Sequence, residues 1–180
     1  MIRLPVRLGW LALPVLVACD LSAPVWSTDL FFPVDYPDVQ LSDYSIAGQI
    51  PPFNVPFTTA PQQQDITGLL EELLSDNVNA LTVEIITQSD VALTATMTIS
   101  IATSQLALLD PNQSITIQVN AGTAVDTTVV EVNVDLLRGA VGLYYQTDGS
   151  VRGAAGGTNV SPGDVIKIDV NLLANYQVKR

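Results

Sequence analysis

The stretch LTVEIITQSDVALTATMTISIAT, residues 81–103, decides the fold. Its first half places Leu81, Val83 and Ile85 at every second position, with polar residues between them. Its second half repeats the alternation over residues 93–101 against threonine and serine. A period of two is typical of strands with one buried and one hydrated face, as in antiparallel sheets. The stretch therefore predicts two amphipathic strands joined by a polar turn.

The same alternation recurs downstream, which extends the prediction to a whole domain. Further alternating runs occupy residues 115–119, 130–136, 140–146 and 166–172. Turn-forming residues separate the runs at 88–90, 110–112, 120–122, 148–149 and 161–164. Five or six strands bounded by turns, with few helices, are typical of a sandwich or barrel. We therefore predict a mainly β protein, an antiparallel β-sandwich with one short helix.

One segment has the helical period instead. Residues 65–75 carry apolar side chains at the i, i+3, i+4 spacing, namely Ile66, Leu69, Leu70, Leu73 and Leu74. Asp65 or Thr67 can cap this helix through a side-chain oxygen. We predict that the helix begins a β-sandwich domain over residues 65–180 and covers one end or face of a sheet.

Residues 19–64 differ in composition from the domain that follows. Seven of the eleven prolines fall between residues 24 and 61. The same region holds most of the aromatic side chains, in which disordered linkers are poor. We predict a proline- and aromatic-rich tether in which residues 28–34 and 39–46 form edge strands, because proline at a sheet edge costs no ladder hydrogen bond.

The start of the chain has the layout of an export signal. Arg3 and Arg7 flank a short positive start, and the apolar run Leu8–Val17 is too short to span a bilayer. The run ends in Leu-Val-Ala-Cys, and Cys19 is the one cysteine of the sequence. This ending resembles the lipobox of bacterial lipoproteins. The resemblance implies that residues 1–18 are a cleaved signal peptide and that Cys19 carries a lipid.

A lipid on Cys19 would anchor the protein in the bacterial cell envelope, facing the periplasm or the exterior. Asp20 resembles the signal that keeps enteric lipoproteins on the inner membrane, but the rule differs between bacterial groups, so both membranes stay open. Loss of the two signal arginines would change the formal net charge from −11 to −13. Such a charge opposes binding to nucleic acid, which we exclude as a partner.

Most catalytic machinery is absent from the sequence. There is no histidine, and a lipid would consume the cysteine thiol, so Ser-His-Asp and Cys-His systems are excluded. Paired carboxylates could still hydrolyse glycosides, and the candidates are Glu131 with Asp135, or Glu84 across the sheet. Acids on alternate residues of a strand are more simply a hydrated face, so we expect no enzyme activity and no cofactor.

Calcium is the ion that the remaining side chains suit best, because calcium takes oxygen ligands, often from loops. Asp35, Asp38 and Asp43 lie close together in sequence, and Asp110 with Asn112 forms another turn. Neither group has the spacing of an EF-hand loop. Acidic turns are common in a chain of this charge, so we expect no metal site.

Residues 80–103 form an amphipathic strand, a polar turn and a second long strand. This order resembles the sandwich domains of the water-stress (WHy-type) late-embryogenesis family. The asparagine-proline turn that is usual in that family is replaced here by residues 88–90. The resemblance covers about a quarter of the chain and implies a sandwich topology.

The function that these observations favour is a non-catalytic protein-interaction or structural module of the cell envelope. Its expected partners are an unidentified envelope protein and the membrane, reached through Cys19. Such a module predicts an exposed apolar patch or a long unprotected edge strand. The residues that we expect to form an interaction surface are Tyr144, Tyr145, Phe31, Phe53 and Phe57.

Two alternatives stay open. The first is a carrier of lipid or another apolar ligand, which predicts a cavity between the long strands, lined by Leu93, Met97, Val132 and Ile168. The second is an envelope hydrolase that acts on carbohydrate through two acids, which predicts a cleft with carboxyl groups close together.

Overall fold

A computed structural model describes residues 26–65, 78–137 and 142–178. The predicted signal peptide, Cys19 and residues 66–75 of the predicted helix lie outside the described residues. Within them the chain is built from antiparallel strands and three short 3₁₀ helices, and the mainly β, antiparallel fold predicted from the sequence is confirmed.

The first sheet has the strand order β1-β12-β6-β9, with β2 also paired to β12. Its strands are β1 (Trp26–Val34), β2 (Val39–Gln40), β6 (Val78–Ser89), β9 (Asp126–Val132) and β12 (Val165–Val178). Every pairing in it is antiparallel.

The second sheet has the order β4-β10-β7-β8, with β5 also paired to β10. Its strands are β4 (Val55–Thr58), β5 (Gln62–Asp65), β7 (Leu93–Ala102), β8 (Ser114–Ala121) and β10 (Gly142–Gly153). A separate pair is formed by β3 (Gln49–Ile50) and β11 (Thr158–Asn159). The 3₁₀ helices are Leu41–Tyr44, Ala107–Leu109 and Val134–Leu136.

The core lies between the two sheets, because β6, β7, β8, β10 and β12 alternate buried and more exposed residues. On β6 and β7 the inward residues include Val83, Ile85 and Met97, all fully buried in one hydrophobic cluster with residues of β8, β10 and β12. The Oγ1 atom of Thr87 donates a hydrogen bond of 2.5 Å to the carbonyl oxygen of Asn120, which ties β6 to β8 across the sheets. The arrangement is a β-sandwich.

The sandwich has two ends, which we name by their connections. The short connection Asp90–Ala92 joins β6 to β7, so the last residue of β6 and the first of β7 lie at one end, called here the upper end. Because paired strands are antiparallel, β1 and β6 begin at the opposite, lower end, and β7 and β12 finish there. The 3₁₀ helix Ala107–Leu109 follows β7 and therefore lies at the lower end.

Several local expectations were wrong. The turn predicted at 148–149 lies inside β10. The strand predicted over 130–136 ends at Val132, because the Asn133 side chain accepts a hydrogen bond of 2.9 Å from the Asp135 amide and begins a 3₁₀ helix.

Two further differences fall in the region before the main strands. The edge strand expected over 39–46 is limited to Val39–Gln40, followed at once by the 3₁₀ helix Leu41–Tyr44. Asp65, one of the two residues predicted to cap the helix, is the last residue of β5, where it pairs with Gly142, and the cap stays a prediction because the rest of the helix lies outside the described residues. None of the helices in the described ranges has the length and apolar character of a membrane span.

Candidate functional site

One side of the sandwich is closed by the proline-rich segment, residues 35–61. After β1 the chain crosses to the second sheet, and on the way it buries Tyr36, Leu41, Ile50 and Phe57 in the common core. Its prolines stand in loops and at strand edges, so they interrupt no central ladder. We call this side, with β1, β2, β4 and β5, the closed side.

Buried hydroxyl groups fasten the closed side. The hydroxyls of Tyr36 and Thr147 share a hydrogen bond of 2.6 Å, and the Thr147 amide donates to the Thr59 hydroxyl at 2.9 Å. The Tyr145 hydroxyl donates to the Asp35 carbonyl oxygen at 3.0 Å, and the Tyr36 and Tyr145 ring centroids are 4.6 Å apart. Burial raises the pKa of Tyr36 well above its usual value, so the ring is neutral and acts as packing and a hydrogen-bonding group.

The opposite side, formed by β8 and β9, is open. Among the described strands β9 pairs with β6 alone, and none of its seven residues is buried. Val129 is 60% exposed on the outer face of the sheet, and Val125, in the turn before β9, is 59% exposed. Residues 126–132 include neither proline nor lysine, which natural edge strands use to block pairing with another chain.

At its upper end, β8 and the turn that follows it are hydrogen-bonded to the first sheet. The carbonyl oxygens of Asn120, Gly122 and Thr123 accept hydrogen bonds from residues 87–89 at the end of β6. These bonds hold the turn between β8 and β9 against the first sheet. The edge with the most exposed strand is therefore β9, and sequence reasoning missed it because Val129 lies in phase with the polar residues of its run.

The predicted aromatic surface is divided by the fold. Tyr145 and Phe57 are buried, so their rings are not available to a partner, and Tyr144 is half-buried against Ala107 and Leu108. Phe31 and Phe53 are exposed, but Phe31 lies on β1 and Phe53 in a loop at the upper end. The structure does not bring the five rings together.

Phe53 lines a groove of about 360 Å³ at the upper end of the sandwich. Its lining is mostly apolar and comprises Ile46, Gln49, Pro51, Pro52, Phe53, Ala155, Gly156 and Gly157. The two loops that form it are joined by several hydrogen bonds, including Gly153 amide to Pro51 carbonyl at 2.8 Å and Gln49 side chain to Asn159 side chain at 2.7 Å. The groove is preformed, and it is open to solvent.

The outer face of the second sheet is rich in hydroxyl and amide groups. Thr94, Thr96 and Thr98 stand in a row on β7, with Ser150 and Asn120 opposite Thr96 on the neighbouring strands. A shallow groove of about 250 Å³ there is lined by Asn54, Thr94, Thr96, Ser150, Arg152 and Gly153. The Arg152 Nε donates to the Pro52 carbonyl at 2.9 Å, which orients the guanidinium over this face.

The candidate acids do not form a cleft. Glu131 and Glu84 lie on adjacent strands of the hydrated face, where Glu131 is opposite Thr82 and Glu84 is opposite Val129. Glu84 accepts a hydrogen bond of 2.9 Å from the Asn171 side chain. Asp135 is exposed in the 3₁₀ helix beyond the end of β9.

The candidate calcium ligands are dispersed. Asp38 accepts a hydrogen bond from the Ile168 amide at 3.2 Å, and Asp35 and Asp43 lie on either side of the buried Val39 and Leu41. The Asp110 carboxylate accepts from Asn112 and Gln113 within its own turn. In residues 26–65, 78–137 and 142–178, no three acidic or cysteine side chains group as a metal site.

The residues predicted to line an apolar cavity lie in the core or at its margin. Leu93, Met97 and Ile168 belong to the buried core cluster, and Val132 packs against its margin. None of them lines the groove at the upper end, the groove on the outer face of the second sheet, or the shallow groove of about 220 Å³ beside Val129. The carrier alternative stays a prediction.

Comparison with known proteins adds little to this picture. The sequence matches no protein family and no curated protein. A chain of Desmodium yellow mottle tymovirus is 13% identical, with 100% of this chain and 94% of that chain covered at a TM-score of 0.32. TmCBM61, solved in complex with β-1,4-galactotriose, is 11% identical, with 88% and 90% covered at a TM-score of 0.29. These TM-scores are too low to assign a fold family or a function.

Proposed function

We propose that this protein is a non-catalytic lipoprotein of the bacterial cell envelope that binds a protein partner by strand addition at β9. The lipid would sit on Cys19, and the partner would be an extended segment of another envelope protein. Backbone hydrogen bonds to the free edge of β9 would supply affinity, and pockets for alternate side chains would supply specificity.

The observation that carries this proposal is the bare β9 edge. This strand of seven residues has no buried member, no proline and no lysine, so its edge lacks the two residue types that most strongly oppose pairing with a second strand. Val129, exposed on the outer face of the sheet, would offer an apolar cross-strand contact to the added strand. An apolar partner side chain opposite Val129 would bury apolar surface from both molecules.

Charge narrows the chemistry of the partner. β9 contributes Asp126 and Glu131, and Glu84 lies on the neighbouring strand. Like charges directly opposite one another destabilise paired strands. We therefore expect a partner strand that alternates apolar residues with lysine or arginine, and we expect the association rate to fall as ionic strength rises.

Site-specific photocrosslinking in the native host tests the interface. A benzophenone amino acid at Val129 should capture one defined envelope protein, identified by mass spectrometry, through a short contiguous segment. The matched control is the same amino acid at Gln118, which is exposed on the outer face of the second sheet. The same set of products from both positions would contradict the proposal, as would capture of a second copy of this chain alone.

The anchor has its own test. The mature protein should carry a lipid on Cys19, seen as added mass on its first peptide, and Cys19→Ser should move the protein out of the membrane fraction. A free thiol on Cys19 in the mature protein would contradict the anchor without bearing on the β9 crosslinks.

A further inference from the structure

We infer that the lower end of the sandwich docks on the lipid surface, with Leu106 and Leu109 inserted into the headgroup region. This inference rests on the proposed anchor at Cys19. It goes further, because it names a second, non-covalent membrane contact within the folded domain and fixes how the domain stands on the bilayer.

Leu106 and Leu109 are the most exposed large apolar side chains of the described residues, at 81% and 78%. They flank Ala107 and Leu108, which are buried and pack beside Tyr144. The two outer leucines therefore project from a turn whose inner residues are fixed to the domain. A pair of exposed leucines on one turn is an apolar contact surface that none of the described residues covers.

The turn that carries these leucines is held by its own hydrogen bonds. The Ala107 amide donates to the Ser104 hydroxyl at 3.2 Å, and the Leu109 amide donates to the Leu106 carbonyl at 3.2 Å. The Ser114 hydroxyl donates to the Asp110 carbonyl at 3.0 Å. These bonds fix the turn in a conformation that holds Leu106 and Leu109 outward.

Chain length places this end next to the membrane. β1 begins at Trp26, paired with Val178 at the lower end, and six residues separate Cys19 from Trp26. The seven steps from one Cα atom to the next reach at most about 25 Å. A strand of twelve residues such as β6 is about 40 Å long, so a lipid on Cys19 would keep the lower end nearer the bilayer than the upper end.

The lower end carries charges of both signs in sequence. Asp65, Asp110 and Asp135 lie at this end, and the basic residues Arg138, Lys179 and Arg180, which are outside the described residues, directly follow Leu137 and Val178 in the chain. The Asp110 carboxylate is turned into its own loop, where hydrogen bonds from the Asn112 amide and side chain and from Gln113 lower its pKa. Because the proposed contact is made by two apolar side chains, we expect docking on zwitterionic lipid with no requirement for anionic lipid.

Depth-dependent quenching on the intact lipoprotein tests the orientation. Because the lipid would occupy the thiol of Cys19, a single introduced cysteine can be labelled alone with a fluorophore. Leu106→Cys reports on the lower end, Ile46→Cys on the upper end, and Phe31→Cys on the outer face of β1. Each labelled protein is reconstituted in phosphatidylcholine vesicles that contain lipid with a nitroxide on the acyl chain.

We expect the label at position 106 to be quenched at least threefold more than the label at position 46. Leu109→Asp in the Leu106→Cys protein should reduce that quenching to the level of position 46, whereas the control Val125→Asp should leave it unchanged. Equal quenching at 106 and 46, in protein that floats with the vesicles, overturns the inference and leaves the anchor intact. Strongest quenching at position 31 also overturns it, because the domain would then lie on a sheet face.

Failure of the anchor gives a different result. Protein without an introduced cysteine would then take up the fluorophore at Cys19 and would not float with vesicles. That outcome would overturn the anchor and the docking together. Labelling and flotation of this protein are therefore measured before any quenching.

Discussion

The closed and open sides of the sandwich differ in how the edge strands are finished. On the closed side, residues 35–61 lay buried side chains and a buried tyrosine-threonine hydrogen bond over the gap between the sheets. On the open side, a turn over residues 122–125 is the connection between β8 and β9, and β9 buries none of its residues. The buried contacts that stabilise the fold are therefore concentrated on the closed side, and the accessible backbone is on the open side.

Ile50→Ala should have the largest effect, because Ile50 is fully buried on the closed side. Removing the buried methyl and methylene groups leaves a cavity, and we expect a loss of about 2–5 kcal/mol in the free energy of unfolding. Urea unfolding followed by circular dichroism measures it. Ile46→Ala is the control, since Ile46 lies in the same segment but is 61% exposed, and it should change stability by less than about 0.5 kcal/mol. Similar losses in the two variants would show that the segment is not part of the core.

Tyr36→Phe should cost about 1–3 kcal/mol, because it leaves the buried Thr147 hydroxyl without its partner. Thr147→Val should cost a similar amount. The double variant should cost less than the two single losses added together, since both ends of the hydrogen bond are then removed. Purely additive losses would argue against this hydrogen bond as the fastening of the closed side.

Alkaline pH should weaken the closed side next. The pKa of Tyr36 is raised by burial, so the folded chain keeps this proton above the pH at which the unfolded chain loses it. Stability is therefore complete below about pH 10 and falls above it by about 1.4 kcal/mol per pH unit. Urea unfolding at pH 8, 10 and 11 measures the slope. Burial also raises the pKa of Tyr145, which adds to the loss. A Tyr36→Phe protein with the same slope as wild type would rule out Tyr36 as the source.

Val129→Lys on the open side should have the smallest effect on stability, below about 0.5 kcal/mol, because the side chain is exposed. It should still remove crosslinks to the partner from a benzophenone amino acid placed at Val125, in the turn before β9, since lysine on an edge strand opposes pairing. The measurement is crosslinking from position 125 in the Val129→Lys background, with urea unfolding alongside. A large loss of stability would show that β9 is covered in the folded protein. Unchanged crosslinks would show that the edge of β9 is not where the partner binds.

The strands around residues 81–101 were predictable because alternation reports burial directly. Every second side chain of β6 and β7 points into the core, so local sequence and tertiary environment agree there. At Asp148-Gly149 the local sequence and the tertiary environment disagree, so the turn predicted from this pair was wrong. A Cβ at Gly149 would lie 2.6 Å from the Thr96 carbonyl oxygen, so this glycine allows close approach of β10 to β7 inside a strand.

The candidate sites were harder to predict than the strands. Phe57 and Tyr145 are aromatic residues of the kind that form contact surfaces. Both nevertheless point into the core, because they lie on the inward faces of their strands. Val129, Leu106 and Leu109 look like ordinary apolar residues in sequence and are exposed. Exposure depends on which strand stands at an edge and which turn residue points outward, and a single sequence does not encode either in its local pattern.

The sequence by itself determined the class of this protein: alternating strands, an acidic and histidine-free chain, and a start that resembles a lipoprotein signal. These properties are local or additive, so they can be read from neighbouring residues and from composition. Only the tertiary structure decided that residues 35–61 close one side, that β9 stays bare, and that Leu106 and Leu109 share an end with Trp26. Those outcomes depend on strand order, because pairing brings together residues that are far apart in the chain.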